Sequence, residues 1–267
     1  MLDGNMRSTT IAVFLLMSSA LRGQLAPFND KGVSMGHLHL NTADVAAQKK
    51  LWIGTLGAKP MKLGTLEGAS MPGAVILFKA AAASGPTDGS TVNHVGVFVP
   101  SLDGFPAKLD AQGLKYTKNA NGKQIMIDGP DGLKLELTAD ASVPGPVSFH
   151  HIHFYTADPI AIQAWYAEKF GAKPGRRAIW EAGDLPGANL TYAKATDAVA
   201  PTVNRALDHI GFEVRDLEAF CKKLEASGVK FETPYRKLPQ LGLAVAFFTD
   251  PWGTRVELTE GLGKGTS

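Results

Sequence analysis

Two histidines and a glutamate recur in the same order, each time inside similar local sequence. The first set is His37 in GHLHLNTAD, His94 in NHVGVFV and Glu136 in DGLKLELT; the second is His151 in HHIHFYTAD, His209 in DHIGFEV and Glu257 in WGTRVELT. Corresponding residues lie about 115 to 120 positions apart, the spacing of a duplicated domain rather than of a short solenoid repeat. Two neutral imidazoles and one carboxylate bind a divalent metal and leave coordination positions open for substrate or water. The chain therefore has two candidate metal sites, His37/His94/Glu136 and His151/His209/Glu257. His39 and His153 lie two residues beyond their proposed ligands, so strand alternation turns them to the same face. There each is a candidate general base titrating near neutral pH. His150 belongs to the opposite face, where a structural role is expected.

Four similar segments must position these residues. Each opens with strand-like alternation, as in Leu38-His39-Leu40-Asn41 and Ile152-His153-Phe154-Tyr155. Helical stretches follow at 44–56, 102–112, 158–170 and 216–227, ended by Gly57, Gly113, Gly171 and Gly228. Asp44 and Asp158 sit where a side chain can accept from a free N–H of the first helical turn. Short strand candidates come next, at 74–78, 124–127, 133–137, 188–192, 244–248 and 255–258. The turns GPDG (129–132) and DPWG (250–253) put Pro and Gly where a tight reversal wants them. Ala/Gly/Pro/Thr-rich links at 80–92 and 193–206 lie inside the halves, and ADASVPGPVS (139–148) joins them.

At 267 residues the chain is long enough for two domains with cores of their own, and 45% hydrophobic with 19% charged residues is ordinary for a soluble globular protein. A net charge of +2 and the lack of a dense basic stripe give no reason to expect nucleic acid or an anionic membrane as partner. The single Cys221, in a helical pattern, reads as a small core residue. At the N-terminus, Arg7 precedes the apolar run 11–17 and the small residues Ser18, Ser19 and Ala20. That is the pattern of a secretory signal peptide, taken here as residues 1–26, with export to the periplasm or medium as the expectation.

The strand-initial His followed seven residues later by Asp, the helix closing on LGA or FGA, and the final D-P-x-G-x-x-x-E-L resemble the vicinal oxygen chelate superfamily. Its members include glyoxalase I, extradiol dioxygenases, methylmalonyl-CoA epimerase and the fosfomycin and bleomycin resistance proteins. The resemblance covers residues 35–260. It implies an α+β fold of four βαβββ modules paired into two domains, 35–139 and 149–260, with curved sheets enclosing a metal-centred cavity. It also implies that the ligands are His151, His209 and Glu257 in the second domain and His37, His94 and Glu136 in the first.

Two departures from the family pattern matter. AVILFKA and ANLTYAKA offer neither carboxylate nor histidine for the fourth ligand of glyoxalase-like members. Phe247 occupies the slot of the tyrosine seen in ring-cleaving dioxygenases, and PQLGLAV contains no histidine. The expectation is an exported enzyme acting on a small oxygenated substrate through a three-ligand Fe, Zn or Mn site, as a monomer or homodimer. An oxidising compartment favours Zn or Mn over Fe(II). The alternative is a non-catalytic small-molecule binder of the antibiotic-sequestering kind.

Overall fold

A computed structural model describes residues 25–264; all but the last two residues of the expected targeting segment lie outside them. The first module comprises β1 (Val33–Thr42), α1 (Val45–Lys49) running into a π-helical turn (Lys50–Thr55), β2 (Lys59–Leu63), β3 (Leu66–Met71) and β4 (Ala74–Ala80). The second comprises β5 (Val92–Val99), α2 (Phe105–Asp110), β6 (Lys115–Lys118), β7 (Gln124–Asp128) and β8 (Lys134–Ala139). The third comprises β9 (Ser148–Thr156), α3 (Pro159–Phe170), β10 (Lys173–Arg177), β11 (Trp180–Leu185) and β12 (Ala188–Lys194). The fourth comprises β13 (Leu207–Val214), α4 (Leu217–Ala226), β14 (Phe231–Leu238), β15 (Leu243–Thr249) and β16 (Arg255–Glu260). The expected βαβββ unit is thus present four times in an α+β fold.

Local chemistry sets the helix boundaries. The Asp44 carboxylate accepts from the N–H groups of Ala46 and Ala47, and Asp158 and Asp216 do the same for Ala161 and Ala219. Gly171 ends α3 at φ +71, a conformation that costs a residue with a Cβ. The helix expected over 102–112 is shorter, because its N-cap is the left-handed Gly104. Among the described residues no helix is long and apolar enough to cross a membrane.

Module pairing departs from the expectation. One eight-stranded sheet runs β14-β15-β16-β13-β1-β4-β3-β2, and the other β10-β11-β12-β9-β5-β8-β7-β6. The first sheet therefore joins module one to module four, and the second joins two to three. The helices instead pack within each half: α2 abuts the π-helical turn, and Phe170 of α3 meets Phe220 of α4 at 5.8 Å between ring centres. Each half contributes one module to each sheet. The opening strands satisfy their free edges across the halves, β1 against β13 and β5 against β9, both antiparallel.

The core is aromatic where modules three and four pack together. Phe154, Tyr166, Phe170 and Tyr192 of module three lie against one another, and Phe170 also meets Phe212 and Phe248 of module four. The Tyr166 hydroxyl donates to Asp250 Oδ2 at 2.8 Å, while Asp250 Oδ1 accepts from the N–H groups of Trp252 and Thr254. The DPWG turn is thereby tied to α3, and burial pushes the Asp250 carboxyl up to about 6. Replacing Tyr166 by Phe removes one buried donor without opening a cavity. It should cost about 1–3 kcal/mol in chemical denaturation with an unchanged m-value.

Candidate functional site

The central antiparallel pairs build the two clusters. In the first sheet His37 pairs with Gly211, and Gly211 pairs in turn with Glu257, so the three lie in one row across β1, β13 and β16. A Cβ on Gly211 would stand 2.1 Å from the His37 ring, so only glycine lets the imidazole lie across β13 towards the carboxylate. The second sheet repeats the row as His151, Gly96 and Glu136, with a Cβ on Gly96 falling 2.0 Å from the His151 ring. One row further, His39 faces His209, and His153 faces His94.

The ligand sets are therefore regrouped. His37 joins His209 and Glu257, with His39 beside them; His94 joins His151 and His153, with Glu136 adjoining. The expected trios His151/His209/Glu257 and His37/His94/Glu136 do not assemble, because β1 meets β13 and β9 meets β5. Their residue types and faces are as expected: the six are all buried. His150 lies on the opposite face, stacked on Phe98 at 3.7 Å.

In the first cluster, Glu257 Oε2 accepts from Nε2 of both His37 and His209 at 2.9 Å. His209 Nδ1–H donates to Asp208 Oδ1 at 2.6 Å, which turns Nε2 inward. Arg255 Nη1 lies 3.1 Å from the same Asp208 oxygen. Burial disfavours a charged His209, but the bonds to Asp208 and Glu257 outweigh it and raise its pKa. Burial likewise opposes ionisation of Glu257, and His37 and His209 overcome it, holding the carboxyl well below the usual range.

His39 Nε2 is buried without a protein partner, and its ring tilts against His209 at 4.6 Å. Three imidazoles, His39 among them with an unpartnered ring nitrogen, and one carboxylate, with donor atoms all within 4.8 Å, fit a divalent ion.

The second cluster differs. His94 Nδ1 bonds Asn93 Oδ1 at 2.9 Å, so its Nε2 accepts from His153 Nδ1–H at 3.2 Å. Glu136 Oε1 accepts from Gln124 Nε2 and Thr138 Oγ1, each at 2.8 Å, and from Arg177 Nη2 at 3.3 Å. Its Oε2 is 3.6 Å from His94 Nε2, so the carboxylate stands outside the ring of three imidazoles. Burial resists ionisation of Glu136, yet His94, Thr138 and Arg177 hold it down to about 2.

The two proposed bases are corrected on one point. Burial, reinforced by neighbouring imidazoles, lowers His39 and His153 to about 3, so neither titrates near neutral pH. Sequence reasoning missed Asp208, Asn93, Gln124, Arg177 and Arg255. The first two were legible as the residue before each H-x-G; the others lie on strands whose neighbours only the fold reveals.

A profile of the Glyoxalase/Bleomycin resistance protein/Dioxygenase superfamily matches residues 148–258. Among solved structures, glyoxalase I from Zea mays is similar at TM-score 0.66 and 15% identity, covering 87% of this chain and 94% of that one. A single-substitution variant of the same enzyme gives TM-score 0.68, with 87% and 95% covered, at 15% identity. A candidate dioxygenase from Bacillus subtilis gives TM-score 0.66 at 16% identity, covering 90% and 92%. No curated protein matches the sequence.

The buried imidazoles make stability depend on acid. His39 and His153 are held to about 3 and His150 to about 4, against 6.5 in the unfolded chain, with burial the leading cause each time. Below pH 6.5 the unfolded chain binds protons that the folded chain refuses, so stability falls as pH is lowered. Each such histidine contributes a slope of about 1.4 kcal/mol per pH unit until its folded pKa is reached. Denaturation of chelator-treated protein from pH 7 to 4 should show that decline, and His150→Gln should flatten it by about one histidine's share.

Proposed function

We propose that this chain, matched over residues 148–258 by the profile of the glyoxalase/bleomycin resistance protein/dioxygenase superfamily, is an exported, metal-dependent enzyme acting on a small oxygenated substrate. His37, His209 and Glu257 would hold the metal, with a fourth ring nitrogen available from His39. The observation that carries this reading is the convergence of His37 Nε2 and His209 Nε2 on one Glu257 oxygen, beside a buried, unpartnered His39 Nε2. When bound, a divalent ion supplies Lewis-acid stabilisation of negative charge developing on a substrate oxygen.

The remaining work falls to the chain itself. Asp208 fixes the His209 tautomer and orientation. Gly211 leaves His37 the space to reach Glu257. Phe247, edge-on to His209 at 5.4 Å, keeps that side of the cluster apolar. His39 is too weak a base to collect a proton at neutral pH, which suits a nitrogen donor better than a proton carrier. Both clusters draw their residues from a single chain. The export reading rests on Arg7, the apolar run 11–17 and the small residues 18–20.

Chelator-treated protein should take up Zn(II) or Mn(II) in equilibrium dialysis, and Glu257→Gln should weaken the uptake at least tenfold. Gly211→Ala should do so about 10–100-fold with the ligands intact, because it displaces only the His37 ring. Unaltered affinity in Glu257→Gln overturns the site. Protein that takes up no metal yet binds small organic ligands is a binding protein of the antibiotic-sequestering type.

A further inference from the structure

The two clusters occupy equivalent places in the two sheets, yet three substitutions between them act in the same direction. Asp208, which supports His209 with a negative charge, is replaced by the neutral Asn93 beside His94. At the end of the second strand of the module, Leu63 pairs with Leu66 in the first sheet, whereas Arg177 pairs with Trp180 in the second. On the strand beside the glutamate, Val245 pairs with Thr259 in the first sheet, whereas Gln124 pairs with Thr138 in the second.

Together these changes redirect the carboxylate. Among the described residues Glu257 has only His37 and His209 as side-chain partners, and Thr259 turns away to Glu213. Glu136 is held by Gln124, Thr138 and Arg177, and Thr138 donates to it rather than elsewhere. The charges differ as well. Two carboxylates, Glu257 and Asp208, face one guanidinium, Arg255, at the first cluster; one carboxylate, Glu136, faces one guanidinium, Arg177, at the second. With His209 neutral, as a metal ligand must be, the first thus has a negative charge left for a dication, and the second does not. Arg177 is only 20% exposed and also donates to the buried Thr191, so it is built into the cluster and not a passing surface contact.

We propose that Arg177 closes the second cluster to divalent metal: its guanidinium takes the cation's place beside Glu136, so the chain carries one metal site, not two. This rests on the metal reading of the first cluster. The consequence is a division of labour, with a metal centre in one sheet and a metal-free, charge-neutral cluster of three imidazoles in the other. In that cluster the Nε2 atoms of His151 and His153 are buried and have no protein partner among the described residues.

The test is metal stoichiometry, read by equilibrium dialysis with Co(II) and by its ligand-field absorption. Wild type should bind one equivalent, lost in Glu257→Gln. Arg177→Leu, which installs the residue found at position 63, should bind two, and Arg177→Leu with Glu257→Gln should bind one. That remaining equivalent should disappear on adding Glu136→Gln. Arg177→Met is read in the same way if the leucine variant does not fold, as judged by circular dichroism. Two equivalents in wild type, one of them lost in Glu136→Gln, overturn the inference. A folded Arg177 variant that gains no equivalent over wild type does so too. If wild type binds none while Arg177→Leu gains one, the reading of the first cluster fails and that of Arg177 stands.

Discussion

The register of one antiparallel strand pair decides whether this protein has a site at all. With His37 opposite Gly211 and Gly211 beside Glu257, the imidazole crosses a strand that has no side chain in its way and meets the carboxylate at 2.9 Å. A slip of one residue would turn the histidine to the other face and bring a side chain into the row. The modules, caps and turns serve to hold that register. The aromatic packing of α3 against β13 and β15 ties the helix layer of one half to the sheet of both.

What could be read from sequence follows from the range of each interaction. Strand alternation, the Asp caps at 44, 158 and 216, and the glycine at 171 act within a few residues, so four modules were legible without a structure. The residue types of the clusters were legible too, because His37, His94, His151, His209, Glu136 and Glu257 recur in matching local sequence. Their grouping was not. Nothing in GHLHLN says whether its strand edge will meet the strand of NHVGVF or of DHIGFE, since both offer the same H-x-G. The choice is made by how the halves interlock, through strand pairings far apart in sequence.

The bases illustrate a different limit. Alternation correctly turned His39 and His153 inward, but pKa depends on what surrounds a ring in three dimensions. Burial beside other imidazoles moves both to about 3, which converts the expected proton carriers into neutral nitrogen donors. His209 moves the other way because two carboxylates bracket it, although it is as deeply placed. The same residue type therefore plays opposite electrostatic parts in adjacent positions of one site.

Duplication explains why the two clusters look alike, and electrostatics explains why they need not act alike. Once a chain holds two copies of a site, selection on one relaxes, and a cation can settle where a metal would otherwise neutralise the glutamate. A buried carboxylate demands a positive partner of some kind. Among the described residues Glu257 is bonded by imidazoles, which can give way to a metal, whereas Glu136 has Arg177. The guanidinium satisfies the desolvated charge without any dependence on metal supply, so the second sheet keeps its fold whether or not the first is loaded. On this view the arginine meets the charge requirement of the second cluster without a metal.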